Sequence, residues 1–396
     1  MKLNKLLILL GLILAYPSSA KIEPSNNQVI GDGQASDKKI TFNRGGSNPG
    51  FKWDEAAGEL KFTNDGSSYV GFSSAAGAMK NYLANSNFEL WQRGTTVVIT
   101  DGNFSYQADR WYVVNTLGTN GVITYSQVAG VSEGAKYGAK VQISTAPTAA
   151  QNNGTEFFQT IENPLSLELY NQTASLSMKV KALNNVTQVG LQFMYKTTEA
   201  KVDTTIGSES LCTVNSSTFS NCSIAGQALG TSMTTSGVIG VRVRITAVSS
   251  GNTYDLNNGY VVELPMLNKG VAAAAWQRMG SDFADELHYC QRFYEKSYDL
   301  NVDPGTITND GNMLFTCSSS NAQYSSWFYN TRKRVAGTHT VYNPNSGLTT
   351  TCYQSGAGLN RAVSDVDSSE TNFTFSITCS AAPDACRLHF TTDSEI

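Results

Sequence analysis

Polar and apolar residues alternate with a period of two along much of the chain, and this pattern predicts β-strands. Residues 174–182 (ASLSMKVKA) are apolar at every even position and polar at every odd one, and residues 189–193 and 241–247 repeat the scheme. One face of each strand would pack on a core while the other meets solvent. Many such segments, separated by Gly, Asn and Ser turns, predict a mainly β chain with an antiparallel jelly roll or β-sandwich over residues 84–275.

The residues before this block predict a smaller β-module. Short alternating segments around 39–43, 51–53 and 59–63 are separated by Gly-containing turns, among them the Asn-Asp-Gly sequence at 64–66. Asn-Asp-Gly is a strong turn signal. Strands of this length bury little apolar surface alone, so the module needs a partner, and copies of itself are the simplest partner.

One amphipathic helix is predicted within residues 276–298. Asp282 can cap its start, and four residues at helical spacing form an apolar face, namely Phe283, Leu287, Cys290 and Tyr294. After the helix the chain returns to strand-like segments. Residues 299–396 therefore predict a C-terminal β-region, which is either a separate tip or a completion of the sandwich.

The first twenty residues predict a secretory signal peptide. Lys2 and Lys5 precede the apolar run at 6–15, and small residues stand at Ser18 and Ala20, so cleavage is expected after Ala20. Ten apolar residues are too short for a helix across a hydrocarbon core of about 30 Å, and no later run is long enough. The sequence thus predicts an exported protein without a transmembrane segment, located at the cell surface, outside the cell or in the periplasm.

Seven cysteines fit an oxidising compartment, and all follow residue 211. Their spacing suggests the pairs Cys212–Cys222, Cys379–Cys386 and Cys317–Cys352, which leaves Cys290 over as a buried apolar residue. Spacing alone does not fix this connectivity.

Composition narrows the function. Charged residues make up 15% of the chain and the net charge is −4. The longest basic cluster, residues 332–334, is short and is interpreted as a solvated face, so no nucleic-acid partner is expected. The chain contains no GxSxG, HExxH, Walker or dinucleotide fingerprint and no spaced metal-ligand set, so we expect no enzyme, no cofactor and no metal. A glycosidase needs only two carboxylates about 5–10 Å apart, which leaves a polysaccharide-degrading enzyme as an alternative.

Two stretches resemble proteins of bacteriophage tails. Residues 42–72 (FNRGG…GFKWDEAAGELKFTNDGSSYVGF) resemble the trimeric β-modules of tail-fibre shafts. From residue 85 onward, NSNFELWQRGTT, YQADRW, ELPMLNKG and CQRFYEKSY are similar to a family of phage and prophage tail-fibre proteins. The resemblance implies a receptor-binding, carbohydrate-binding-like jelly roll on a trimeric fibre. Because this chain carries a leader, it resembles more specifically the exported mosaic trimeric adhesins of predatory bacteria such as Bdellovibrio.

The sequence therefore predicts a secreted homotrimeric fibre adhesin whose C-terminal region recognises a surface glycan or another cell-envelope ligand. Aromatic rings stack on the apolar faces of sugars, and Arg side chains bind hydroxyls and acidic groups. The candidate ligand-binding residues are Tyr324, Trp327, Tyr329, Arg332, Tyr342 and Tyr353. The alternatives are a polysaccharide-degrading spike and an architectural fibre without a ligand. The predicted organisation is a signal peptide (1–20), a flexible entry (21–36), a shaft-like module with connector (37–83), the sandwich (84–275), the helix (276–298) and the C-terminal region (299–396).

Overall fold

The protein is mainly β in a computed structural model, and its chain divides into two compact units, Met1–Gly77 and Ala78–Ile396. The predicted signal peptide and flexible entry lie outside the described residues. The structure describes residues 80–150, 155–230, 236–318, 321–380 and 383–395, together with the backbone of four short strands between residues 38 and 71.

The four short strands form one antiparallel sheet in the first unit, and each pairs with the next along the chain. Each has only two to five residues, as expected from the short alternating segments. Strands this short bury little apolar surface on their own. The strands are β1 (Lys38–Thr41), β2 (Gly50–Asp54), β3 (Glu59–Thr63) and β4 (Val70–Gly71).

The first part of the second unit is an antiparallel β-sandwich of the jelly-roll type, as predicted. One sheet has the order β16-β13-β18-β10-β9-β5, the other has the order β15-β14-β17-β12-β7-β6, and β8 pairs with β11. The strands are β5 (Thr96–Thr100), β6 (Phe104–Tyr106), β7 (Trp111–Asn115), β8 (Gly118–Thr119), β9 (Val122–Ala129), β10 (Tyr137–Thr145), β11 (Ala149–Ala150), β12 (Thr155–Ile161), β13 (Thr173–Leu183), β14 (Val186–Lys196), β15 (Thr204–Thr213), β16 (Ser220–Ala228), β17 (Val238–Val248) and β18 (Gly259–Lys269), and the helix α1 spans Asn163–Leu169.

The sandwich core lies between the two six-stranded sheets and follows from the alternation. In β13 the even-numbered side chains from Ala174 to Ala182 are buried, while Lys179 and Lys181 remain partly exposed. Aromatic rings fill the centre, where Trp111 stacks on Phe157 with ring centroids 4.8 Å apart. Phe157 also makes an edge contact with Tyr125 of the other sheet, with ring centroids 5.6 Å apart, so the aromatic rings pack the two sheets against each other.

The predicted helix, α2, spans Phe283–Gln291 and is shorter than the segment 276–298. Asp282 caps it by accepting a hydrogen bond from the Asp285 backbone N–H at 3.0 Å. Of the four residues expected on its apolar face, Cys290 is buried against Leu90, Leu287 packs on the same cluster, and Phe283 is exposed. Tyr294 lies beyond the helix, in strand β19 (Tyr294–Lys296), because the chain leaves the helix at Arg292.

The C-terminal region forms its own eight-stranded antiparallel sheet with its own apolar core, so it does not complete the sandwich. The order is β19-β26-β23-β24-β25-β21, and β26 also pairs with β20 and β22. Contacts such as Trp327 with Phe390 show that the sheet curls over its core. The remaining strands are β20 (Met313–Cys317), β21 (Ala322–Phe328), β22 (Thr338–Tyr342), β23 (Thr351–Gln354), β24 (Leu359–Ser368), β25 (Asn372–Thr378) and β26 (Asp384–Asp393).

Three disulfides cross-link the described chain, and two of the three predicted pairings are wrong. Cys212–Cys222 joins β15 to β16 as predicted. In place of Cys317–Cys352 and Cys379–Cys386, the structure has Cys317–Cys379 and Cys352–Cys386, with Cα atoms 6.0 and 5.9 Å apart. Cys386 lies in β26, whose neighbour is β23, and a disulfide needs Cα atoms within about 7 Å. Sheet pairing therefore selects the partners. Disulfides persist in oxidising compartments, which indicates an extracellular or periplasmic setting.

A buried ionic network joins the sandwich to the C-terminal region. Arg93 and Arg110 of the sandwich both contact the Glu395 carboxylate, and all three side chains are nearly inaccessible to solvent. The Arg110 guanidinium also lies 3.5 Å from the centre of the Phe293 ring and donates to the Thr160 carbonyl oxygen at 2.6 Å. Because buried charges need close partners, the two regions are held in one arrangement.

The basic cluster at 332–334 is only partly a solvated face. Arg332 is exposed, but the Lys333 side chain is buried and pairs with the Glu295 carboxylate. Lys333 also donates to the Gln291 carbonyl oxygen at 2.5 Å. Burial lowers the pKa of Lys333, while Glu295 opposes that shift. The cluster thus contributes a buried tie between α2 and the C-terminal sheet.

Candidate functional site

The predicted binding residues do not converge on one surface. Tyr324 and Trp327 lie on opposite faces of β21, because side chains alternate along a strand. Tyr324 is 66% exposed, whereas Trp327 is half-buried with its ring centroid 5.6 Å from that of Phe390. Tyr329 is buried in the core of the C-terminal sheet.

The other three predicted residues also lie apart. Arg332 is exposed and pairs with Glu370, with 2.7 Å between Nε and Oε2. Tyr342 is half-buried and makes an edge contact with Tyr298, with ring centroids 5.9 Å apart. Tyr353 is half-buried in β23. Of the six, only Tyr324 and Arg332 are open to a ligand over most of their surface.

An exposed aromatic face lies on β21 and its neighbour β25. Tyr324 and Phe328 extend from the same face of β21 and are 66% and 71% exposed. Four residues along one strand span about 13 Å, so the two rings stand about that far apart. The rest of the face is polar, and Ser326 Oγ lies 2.8 Å from Thr374 Oγ1. We define the aromatic face by the cross-strand pairs Tyr324–Ser376, Ser326–Thr374 and Phe328–Asn372.

The aromatic face lies at the end of the sheet. β21 is the last strand in the sheet order, and the described residues supply no strand beyond it. The inner side of β25 is buried, with Phe373, Phe375 and Ile377 each about 1% exposed. The packed core on the inner side therefore fixes the position of the strands. Nothing in the described chain covers their outer side.

A cleft opens on the other side of the same sheet because β24 changes partner along its length. Residues 359–362 pair with β23, whereas residues 364–368 pair only with β25, and Val363 pairs with β25 while its N–H donates to the Thr350 carbonyl oxygen at 2.9 Å. The edge left unpaired by β24 faces β22, whose own partner is β26. The gap between β22 and β24 has a volume of about 220 Å³. Its lining includes His339, Thr340, Thr349, Thr350, Asp365 and Phe373.

A chain of hydrogen bonds spans this cleft. Tyr329 Oη lies 2.6 Å from His339 Nε2, and His339 Nδ1 lies 2.9 Å from Asp365 Oδ2. Burial raises the pKa of Tyr329 to about 12, so its hydroxyl stays protonated and can donate to Nε2. Nδ1 then carries the imidazole proton and donates to the carboxylate. The His339 ring also stacks on Phe373, with centroids 4.4 Å apart, so the histidine is fixed from several sides.

Sequence reasoning missed Phe328, His339 and Asp365. The alternation that exposes Tyr324 also exposes Phe328, so this residue could have been found by counting from Tyr324 along the strand. His339 and Asp365 are 26 positions apart and meet only because β24 turns away from β23. No local pattern signals that meeting.

The described residues contain no group of three or more His, Cys, Asp or Glu side chains placed to hold a metal ion. None of the helices in the described part of the chain is long and apolar enough to cross a membrane.

Comparison with known proteins gave only distant structural likenesses. No family model and no curated protein sequence matches the chain. A putative sugar-binding protein from Bacteroides thetaiotaomicron is 12% identical, with 48% of this chain and 100% of that chain covered and a TM-score of 0.35. The CBM22-1 xylan-binding domain from Paenibacillus barcinonensis is 13% identical, with coverage of 50% and 100% and a TM-score of 0.29. The enzymatically active domain of bacteriophage CBA120 tailspike protein 4 is 10% identical, with coverage of 48% and 21% and a TM-score of 0.29. At these identities and TM-scores the likenesses carry no function over to this chain.

Proposed function

We propose that the protein is an exported, homotrimeric fibre adhesin that binds a surface glycan through its C-terminal region, without chemical turnover. The aromatic face carries this proposal, because it pairs two exposed rings with a row of hydroxyl and amide groups. The rings of Tyr324 and Phe328 offer apolar surface to the C–H faces of sugars. Ser326, Thr374 and Asn372 offer donors and acceptors for sugar hydroxyls.

The same face fits weak, repeated binding. Its rings are exposed on a flat sheet rather than enclosed in a pocket, so each copy would bury little ligand surface. Three copies on one fibre would raise the effective concentration of the second and third contacts. An adhesin that must grip and release a surface gains from this arrangement.

Two further features support the trimer and the export. The sheet of β1 to β4 has strands of two to five residues, and packing against copies of itself would supply the surface that it lacks. Three disulfides in the described chain suit a protein that folds outside the reducing cytoplasm.

A glycan array with matched variants tests the proposal. The double variant Tyr324→Ala, Phe328→Ser should lose binding at least tenfold, because both stacking surfaces are removed. The control is Leu314→Ser, which removes an apolar side chain that is 65% exposed on β20, and it should bind as the wild type does. Equal loss in both variants, or binding unchanged in the double variant, would contradict a sugar site on the aromatic face.

Two measurements test the remaining parts. Light scattering should give three times the chain mass for the wild type and for the double variant, and a monomer would refute the fibre. Incubation with the polysaccharide that binds on the array should release no reducing ends. Release would replace the adhesin with a polysaccharide-degrading enzyme.

A further inference from the structure

The cleft between β22 and β24 is a candidate for a second, more selective ligand-binding site. It lies where β22 and β24 do not pair with each other. Thr350 links them at one end, where it donates to the Val341 carbonyl oxygen and accepts from the Val363 N–H, each at 2.9 Å, and beyond this link side chains cross the gap. His339 bridges from β22 to Asp365 on β24, and Ser368 Oγ donates to the Gly337 carbonyl oxygen at 3.2 Å. The opening is therefore part of the fold and does not depend on the movement of a loop.

The cleft presents a fixed acceptor. The His339 side chain is only 1% exposed, whereas the Asp365 carboxylate that it holds is 48% exposed. Oδ2 of Asp365 is occupied by His339, and Oδ1 makes no hydrogen bond within the described chain, so one oxygen remains for a ligand. A carboxylate oriented in this way loses little conformational entropy when it accepts a hydrogen bond from a ligand hydroxyl, which favours binding.

The rest of the lining selects for a small polar ring. The Thr349 hydroxyl has no hydrogen-bond partner in the described protein, and Phe373 supplies an apolar wall. A volume of about 220 Å³ equals the share of about seven water molecules in the liquid. This is below the roughly 300–1,000 Å³ of pockets for drug-sized ligands, so the cleft has room for one sugar ring and not for an oligosaccharide.

We propose that this cleft binds the terminal residue of a glycan, with Asp365 accepting from a pair of ring hydroxyls and Thr349 contacting another. This inference rests on the proposed glycan-binding function but concerns a different surface from the aromatic face. The aromatic face would bind internal residues of a glycan, whereas the cleft would bind its terminal residue. The protein would then prefer exposed chain ends over internal segments and would also bind free monosaccharides.

Nuclear magnetic resonance of the histidine rings tests the proposal directly. The chain has three histidines, and only His339 lines the cleft, so His288 and His389 serve as internal references. Titration with a panel of neutral monosaccharides should move the His339 ring signals in a saturable way for at least one sugar. Asp365→Asn and Thr349→Val should each weaken that binding at least fivefold.

Two controls guard the interpretation. Asp367→Asn removes a carboxylate from an exposed neighbouring position on the same strand and should leave the titration unchanged. Thr349→Val keeps the shape of the side chain, so it remains informative if Asp365→Asn fails to fold.

The outcomes separate the two proposals. Saturable sugar binding that leaves His339 unmoved would overturn the cleft site and leave the adhesin proposal standing. A response to ethanolamine but to no sugar would make the cleft a cation site and would also overturn the inference. No response to any probe would overturn the cleft site, whereas the array with the aromatic-face variants decides the adhesin separately.

Discussion

Replacement of Glu395 by Gln should strongly destabilise the contact between the sandwich and the C-terminal region. Glu395 is the only carboxylate of the described chain within ion-pair distance of Arg110, and it also contacts Arg93. Arg93 retains Asp109 and Asp393, but Arg110 would lose its carboxylate and keep only uncharged partners, which are the introduced amide oxygen, the Thr160 carbonyl oxygen and the face of the Phe293 ring.

The expected loss can be estimated from the burial of the pair. Removal of one partner of a buried ion pair costs about 3–5 kcal/mol, because a charge stays buried without compensation. Gln keeps the shape of Glu and one acceptor oxygen, so we expect the lower end, about 3 kcal/mol. High salt should change this loss little, since buried pairs are weakly screened.

Urea unfolding, followed by tryptophan fluorescence, measures the loss. The matched control is Glu133→Gln, which removes the same charge from an exposed turn and should shift the free energy of unfolding by less than about 0.5 kcal/mol. A loss below about 1 kcal/mol for Glu395→Gln would refute the inference that this network is dry and holds the two regions together.

Two further predictions concern the same unit. Burial raises the pKa of Asp109 to about 6 despite the opposing charge of Arg93, so the folded state holds this proton more tightly than the unfolded chain and the resulting stability is lost as the pH rises from about 4 to about 6. Across that window the free energy of unfolding of the wild type should therefore fall by roughly 3 kcal/mol relative to that of Asp109→Asn, which lacks the titrating carboxyl. Parallel pH curves for the two proteins would contradict this. The disulfide Cys317–Cys379 spans 62 residues and Cys212–Cys222 spans 10, so chain entropy gives about 4 and about 3 kcal/mol. Paired Cys→Ser variants should lower the melting temperature in that order, and the reverse order would contradict an entropic origin.

The alternation of polar and apolar residues was sufficient to predict the sandwich, because it depends only on neighbours along one strand. The even positions of β13 are buried as expected. Asp282 likewise caps α2, since a cap involves residues three apart. The end of the helix was less well predicted, because Tyr294 continues the helical spacing but pairs with Asp393 in a strand.

The disulfides and the candidate site depended on long-range pairing that the sequence does not display. Of the two wrong pairs, Cys379 and Cys386 are near each other in sequence, but Cys317 and Cys352 are no nearer than the true pair Cys352–Cys386, which forms because β26 pairs with β23. In the same way, the sequence marks Tyr324 and Tyr329 alike as aromatic candidates for stacking on a sugar. Tyr329 is buried because of its place in the C-terminal sheet, which the sequence does not show. His339 and Asp365 meet only because β24 leaves β23, which no local pattern indicates.

The central position of β26 has a consequence for how the protein is made. This strand pairs with β19, β20, β22 and β23, and the first three have no other strand partner in the described chain, so they stay unpaired until residues 384–393 leave the ribosome. Until then their open edges and apolar side chains would be available to chaperones, proteases and other chains. A premature stop codon before β26 should thus leave the C-terminal sheet unfolded.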